Sequence, residues 1–189
     1  VARPEWDKAG YIDVTGRTVI PPQFELARRF GDGLACVSFD LLGPCGFIDT
    51  SGKVVIEPRY VEAGPFSEGL APVMTNDRNW GYVDKTGSLV IKDRFVEARP
   101  FAEGLAPARN ADYEWGYIDR SGEFAIEPQY EDAYGFSEGL APVATADGTW
   151  GYIDRTGAFA IPPQFGLAFR FGDGLAPVSL MNEMGFINR

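Results

Sequence analysis

The octet Trp150-Gly-Tyr-Ile-Asp-Arg-Thr-Gly157 has near-copies beginning at Trp80 and Trp115. Its first glycine recurs as Gly10, Gly46, Gly81, Gly116, Gly151 and Gly185, at intervals of 34 to 36 residues. A second series keeps step with it, the Gly-Leu-Ala triplets that begin at Gly33, Gly69, Gly104, Gly139 and Gly174. A period of this size constrains the fold more than any other feature of the chain. A unit so short cannot bury an apolar face by itself, so consecutive units must stack on one another. Five full units begin near residues 9, 45, 80, 115 and 150, and a partial sixth begins at 184. No linker or low-complexity stretch interrupts the count, so a single repeat domain over residues 1–189 is expected.

One unit reads as strands and turns. Trp150 to Asp154 alternates, with Trp150, Tyr152 and Asp154 on one face and Gly151 and Ile153 on the other, which is the period of a strand. Asp154-Arg-Thr-Gly157 has Asp first and Gly fourth, the preference of a type I turn with a glycine bulge. Phe159-Ala-Ile161 returns as a second strand and stops at Pro162-Pro163. Aromatics and alanine then follow at three-residue intervals (Tyr130, Ala133, Phe136), with Gly64-Pro65 and Arg99-Pro100 in equivalent stretches. That pattern predicts an irregular or 3₁₀ connection. Gly-Leu-Ala-Pro-Val opens a third strand, and Pro72, Pro107, Pro142 and Pro177 cannot donate to a ladder, which places this strand at an edge. The fold expected is all-β, a tandem array of about five three-stranded units. Six first strands against five of the others favour an open twisted array over a five-bladed closed propeller. The "PPQF" and "FGDGLA" shared by units one and five pull toward closure.

Three motifs together resemble the WG (tryptophan-glycine) repeat family of bacterial proteins. They are the Trp-Gly-aromatic-Ile-Asp opening, the Ile-x-Pro centre (Ile56-Glu-Pro58, Ile126-Glu-Pro128) and the Glu-Gly-Leu-Ala-Pro-Val close (Glu68 to Val73, Glu138 to Val143). The resemblance covers nearly the whole chain. Ala9, Cys45 and Met184 depart from it where Trp would stand, and Lys92-Asp93 replaces Glu-Pro. It implies all-β, non-catalytic modules with no single shared ligand. Arg outnumbers Lys thirteen to four, which agrees with a GC-rich bacterial source.

Composition narrows the function further. A net charge of −10 argues against nucleic-acid binding and anionic membrane surfaces, and no apolar run is long enough for a membrane span. The chain has no His, hence neither the usual general base nor the commonest transition-metal ligand. Phosphate-binding glycine motifs, nucleophile elbows and Cys-x-x-Cys pairs are absent. The reading is therefore not an enzyme, with no cofactor and no metal assigned. Two acidic columns recur. The turn acids Asp13, Asp49, Asp84, Asp119 and Asp154, with Asn188 in the sixth unit, read as side-chain caps of turn amides. Asp32, Glu68, Glu103, Glu138 and Asp173 read either as loop hydrogen bonds and charge partners or, stacked together, as calcium ligands.

Positions repeated in every unit belong to the scaffold, so recognition is sought where units differ. The loops between third and first strands read "SFDLLGP", "MTNDRN", "RNADYE", "ATADGT" and "SLMNE". Asp112, Tyr113 and Glu114 form the most distinctive tip, with Asp77 and Arg78 in the preceding loop as further candidates. The function expected is binding, most simply of a protein partner through this acidic edge. A carbohydrate-binding, lectin-like module is the alternative, since sugars stack on aromatic rings.

Cys36 and Cys45 are the chain's two cysteines. They occupy the positions of Pro and Trp in the pairs Pro72–Trp80, Pro107–Trp115 and Pro142–Trp150. Replacement of both partners in one hairpin predicts that these positions touch, directly opposite each other at a non-hydrogen-bonded site. There a disulfide could form, or two buried thiols could persist in a reducing setting.

Overall fold

The computed structural model describes residues 8–180 and 183–189 and is all-β, with no helix among them. The first sheet pairs β1 (Ala9–Ile12) with β2 (Thr18–Phe24). The second holds β3 (Leu26–Ala27), β4 (Leu34–Ser38), β5 (Cys45–Asp49) and β6 (Val54–Tyr60), in that order. The third holds β7 (Glu62–Ala63), β8 (Leu70–Met74), β9 (Trp80–Asp84) and β10 (Leu89–Phe95). The fourth is β11 (Glu97–Ala98), β12 (Ala106–Arg109), β13 (Trp115–Ile118) and β14 (Phe124–Tyr130). The fifth is β15 (Asp132–Ala133), β16 (Ala141–Ala144), β17 (Trp150–Ile153) and β18 (Phe159–Phe165), and the sixth is β19 (Leu167–Ala168), β20 (Leu175–Leu180) and β21 (Glu183–Asn188). Every sheet is an antiparallel meander, and none closes on itself into a barrel. The chain divides at Asp93/Arg94 into two compact units of three sheets each.

This is the tandem β-repeat array that the period predicts, with two differences in its strands. The stretch expected to be irregular or 3₁₀ contributes a two-residue strand (β3, β7, β11, β15, β19) at the edge of each sheet. The proline-bearing strand consequently lies inside the sheet and not at its edge. Its proline is tolerated because of where the ring nitrogen points. Pro72 O accepts from Gly64 N at 2.8 Å and Pro107 O from Arg99 N at 2.9 Å, so these residues turn their backbone polar side toward the short strand, at the place where its ladder ends.

The repeated Trp-Gly and Ile-x-Pro motifs turn out to be two halves of one contact. Between β13 and β14, Trp115 pairs with Tyr130 and Tyr117 with Ile126, so the single residue Gly116 faces the three-residue bulge Glu127-Pro128-Gln129. A Cβ on Gly116 would stand 2.6 Å from Ile126 O and 2.8 Å from Pro128 N. Gly46 and Gly151 are covered in the same way, by Ile56 O and Pro58 N and by Ile161 O and Pro163 N. A residue without a side chain lies under one without an N–H, and the strands close to backbone contact. In the third sheet Asp93 replaces that proline, and its carboxylate accepts from Thr75 Oγ1 at 2.7 Å.

The central strands are apolar throughout where neighbouring sheets cover them (Trp115 to Ile118 are all buried). In the N-terminal unit, Phe47, Ile56 and Tyr60 of the second sheet pack with Phe66, Ala71, Val73 and Val83 of the third sheet and its entry loop. In the C-terminal unit, Trp115, Tyr117, Ile126 and Tyr130 pack with Phe136, Val143 and Ile153. Backbone carbonyls latch successive sheets together. Arg59 and Tyr60 donate to Gly87 O, Arg94 to Gly122 O at 2.7 Å, and Tyr130 to Gly157 O at 3.4 Å.

The turn acids cap their own turns, as expected. Asp154 Oδ1 accepts from Thr156 N at 2.8 Å, Thr156 Oγ1 at 2.6 Å and Ala158 N at 3.2 Å, and Asp13, Asp49, Asp84 and Asp119 repeat the pattern. The hydroxyl two residues on, helped by the turn amides, holds each of these carboxyls below the usual carboxylate range. A depressed folded-state pKa supplies stability that is present above the unfolded value, about 4, and disappears as pH falls through the folded value. Thermal melting between pH 6 and pH 2 should therefore show a steep acid limb. Asn at all five positions, the residue found at 188, should flatten that limb, and an unchanged slope would refute the assignment.

Candidate functional site: the variable loop edge

The loops of residues 75–79, 110–114 and 145–149 share one backbone form. In the C-terminal unit, Tyr113 N donates to Asn110 O at 3.1 Å and Asn110 N to Glu114 O at 2.9 Å. Thr145 and Gly148 repeat this one repeat later, as Gly148 N donates to Thr145 O at 2.8 Å and Thr145 N to Thr149 O at 2.9 Å. The fourth residue of such a turn enters the left-handed region. Gly148 does so at φ 80° without strain, but Tyr113 does so at φ 64° and carries a bulky ring. That conformation costs an L-residue roughly 1–2 kcal/mol. Tyr113 is 61% exposed, so no core packing compensates it. Arg109 supplies local support: its Nε donates to Tyr113 O at 2.9 Å and its guanidinium lies 5.3 Å from the ring centre.

Arg109 also lines an open groove of about 330 Å³, together with Glu97, Arg99, Trp115, Glu131 and Asp132. Its floor is a ladder of cations and rings. Arg99 sits 4.3 Å from the Trp115 ring centre and 4.6 Å from that of Tyr134, and Tyr134 stacks on Trp150 at 5.5 Å. Arg99 is fixed further by Asp132 at 2.9 Å and by Ala133 O at 2.5 Å. Exposed Asp112 and Glu114 flank the tip, and Glu97 and Glu131 line the groove. Asp112, Tyr113 and Glu114 thus form one exposed tip, joined through Arg109 to a mixed-charge groove.

In the N-terminal unit Asp77 and Arg78 occupy the equivalent exposed tip, with Arg78 at φ 61° and Arg78 N donating to Thr75 O at 3.0 Å. The loop before it, residues 39–44, exposes Leu41 and Leu42. It borders a cleft of about 360 Å³ lined by Leu42, Gly43, Pro44, Arg59, Val61 and Asn76. Met181 and Asn182 of the last variable loop lie outside the described residues. Sequence reasoning missed the groove. Its signal was the recurrence of Arg after the edge alanine at Arg28 and Arg99, each answered by an acid in the next unit, Glu62 at 3.1 Å and Asp132 at 2.9 Å.

The second acidic column belongs to the scaffold. Asp32, Glu103 and Glu138 sit in the left-handed region before a glycine in two-residue hairpin turns. Each reaches the corresponding glycine amide of the next repeat: Gly69 N to Asp32 at 2.6 Å, Gly139 N to Glu103 at 3.0 Å, Gly174 N to Glu138 at 3.2 Å. Lys85 Nζ donates to Asp32 O at 2.7 Å, and Arg155 donates to Glu103 O. The loop-hydrogen-bond alternative accounts for these carboxylates. Among the described residues, no cluster of three or more His, Cys, Asp or Glu is placed to hold a metal ion.

The cysteines share one core cluster, but they are not placed opposite each other as expected. Cys36 pairs with Phe47 and Val37 with Gly46, so Cys45 lies diagonally from Cys36 and not opposite it. The prolines likewise pair with tyrosines (Pro107 with Tyr117, Pro142 with Tyr152), while Trp115 faces Arg109 and Trp150 faces Ala144. The register is two residues away from a direct Pro–Trp pair. Both cysteines are free buried thiols in one core cluster.

Fold and site together define a β-repeat protein whose variable chemistry is confined to its hairpin loops. The profile of the WG containing repeat matches residues 10–40, 46–78, 80–113, 115–147 and 150–182, and the chain belongs to the WG repeat family. Among solved structures it resembles the computationally designed protein Ika8, at 13% identity and a TM-score of 0.59, over 93% of this chain and 63% of that one. It also resembles BamB from Moraxella catarrhalis, at 13% identity and a TM-score of 0.56, over 90% of this chain and 60% of that one. The chain thus spans less than two thirds of either, and at this identity the likeness is one of fold alone. No curated protein matches it.

Proposed function

We propose that the chain is a non-catalytic interaction module that recognises a protein segment through its variable loop edge. The observation that carries this reading is Tyr113, an exposed aromatic in a strained backbone position that the neighbouring loop fills with glycine. Strain kept at a solvent-facing tip, with only the Arg109 side chain against the ring, is what selection for a contact of that side chain would leave. The surrounding acids (Asp112, Glu114, Glu97, Glu131) favour a segment bearing Lys or Arg, held in a rim that salt would weaken. The repeated aromatics are a poor sugar platform because Trp115 and Trp150 are buried.

The test is a displayed random-peptide library panned against the immobilised protein at low and high salt, beside Tyr113→Gly. Basic peptides should be enriched at low salt, and Tyr113→Gly should lose them while melting at the same temperature or higher. Peptides retained by Tyr113→Gly would refute the role of the tip. Failure to enrich any peptide, combined with binding on a glycan array, would favour the lectin-like module instead.

A further inference from the structure

Cys36 and Cys45 stand in adjacent strands β4 and β5 on one face, at the ends of the hairpin that carries residues 39–44. Diagonal neighbours in an antiparallel pair are about 7 Å apart at Cα, the upper limit for a disulfide, and strand twist shortens one of the two diagonals. What favours closure is that the two side chains lie on one face of the hairpin and in one buried core cluster. The surroundings also differ from those of the other hairpins. Arg99 lies on the Trp115 ring, but its counterpart Arg28 finds a cysteine in the place of tryptophan. Arg28 turns to Glu62 at 3.1 Å, and its positive charge acts on Cys45.

We propose that Cys36 and Cys45 form a redox-modifiable dithiol, which a small hydroperoxide converts to a disulfide across the β4–β5 hairpin. Cys36 and Cys45 are only 1% and 2% exposed, which excludes a protein-sized disulfide as oxidant and leaves a small hydroperoxide. The Cys36 hydrogen bond, against the cost of burial and with help from Arg28, holds the Cys45 thiol below its ordinary value, so Cys45 is the first nucleophile. The Cys45 thiolate attacks one peroxide oxygen, the O–O bond breaks, and the departing hydroxide takes up the proton released from Cys45 to leave as water. Cys45 is then a sulfenic acid. The Cys36 sulfur attacks the Cys45 sulfur, the S–O bond breaks, and hydroxide leaves with the Cys36 proton as a second water. Two thiols lose two electrons in total, and one peroxide becomes two waters. The bridge closes a covalent ring around the loop that exposes Leu41 and Leu42.

The experiment treats folded, fully reduced protein with hydrogen peroxide, alkylates it in denaturant, and digests it with trypsin. Both cysteines fall in the single peptide of residues 30–53. After peroxide that peptide should be lighter by two hydrogens, carry no alkyl group, and give no fragments between Cys36 and Cys45. The oxidised protein should melt about 5 °C higher than the same sample reduced again. Two alkyl groups after treatment, or oxygen added to one sulfur with no bridge, would overturn the proposal. In Cys36→Ser the sulfenic acid should persist on Cys45 and react with dimedone, and its absence in a folded variant would overturn the order of attack.

Discussion

Replacing Trp115 by alanine is expected to lower the stability of the fold by about 3–5 kcal/mol, the range for a buried aromatic whose cavity cannot collapse. Trp115 is 2% exposed and is packed into the cluster that joins the fourth and fifth sheets. Its removal would also take away one of the two rings that hold Arg99, leaving a half-buried guanidinium with a cavity on one side. Local relaxation cannot fill the space, because Tyr130 is fixed by its pairing and Gly116 by the backbone above it. A denaturant titration with unchanged slope and a reduced midpoint is the expected record. Phe186, 72% exposed on β21, serves as the comparison, and its truncation should change stability by less than about 0.5 kcal/mol. Equal losses at the two positions would contradict a stability carried by stacked interfaces.

Gly116→Ala should be nearly as damaging, at about 3 kcal/mol, although it adds a single methyl group. Gly116 does not sit at positive φ, so alanine would suit its backbone and would stabilise an open strand by roughly 0.4–1 kcal/mol through the unfolded state. The sign is reversed by backbone atoms at 2.6 and 2.8 Å that belong to Ile126 and Pro128 and cannot rotate away. Gly185 occupies the same place in its repeat and has nothing within 4 Å of an added Cβ. Gly185→Ala should therefore be neutral or slightly stabilising. Opposite outcomes at two glycines of one motif are a demanding result, and similar outcomes would remove the account of why Trp-Gly recurs with Ile-x-Pro.

That account also shows where sequence reading stopped. The period, the Asp-x-x-Gly turn and the alternation of Trp150 to Asp154 are local patterns, and they appear in the structure where the residues indicate them. The short edge strands are two residues long, below any alternation that a pattern could reveal, so the stretch around Ala98 or Ala133 read as a connection. The error about proline followed from that one, since a strand with no second neighbour is an edge. The Gly116–Pro128 contact and the Arg99 ladder join residues 12 to 35 apart in the chain, and only the register brings them together. At the candidate site the residue types of the loop tip were legible. The groove was not, because its walls come from β11, β12, β13 and β15 with its approach.

Each full sheet takes its first two strands from one sequence repeat and its last two from the next. The unit that is written and the unit that folds are therefore out of phase by about half a period. The chain divides into compact units at Asp93/Arg94, close to the end of a sheet, and not at the tryptophans where the motif begins. A gene that gains or loses one whole period, wherever the joint falls, restores every sheet, since the two halves brought together at the joint are equivalent to those that were parted. Severing the chain at Trp80 or Trp115, by contrast, would split a sheet between its two central strands and bare an apolar edge on both fragments. Minimal fragments should thus be cut just after Tyr60, Phe95 or Tyr130, so that the boundary of the protein follows its hydrogen bonds and not its spelling.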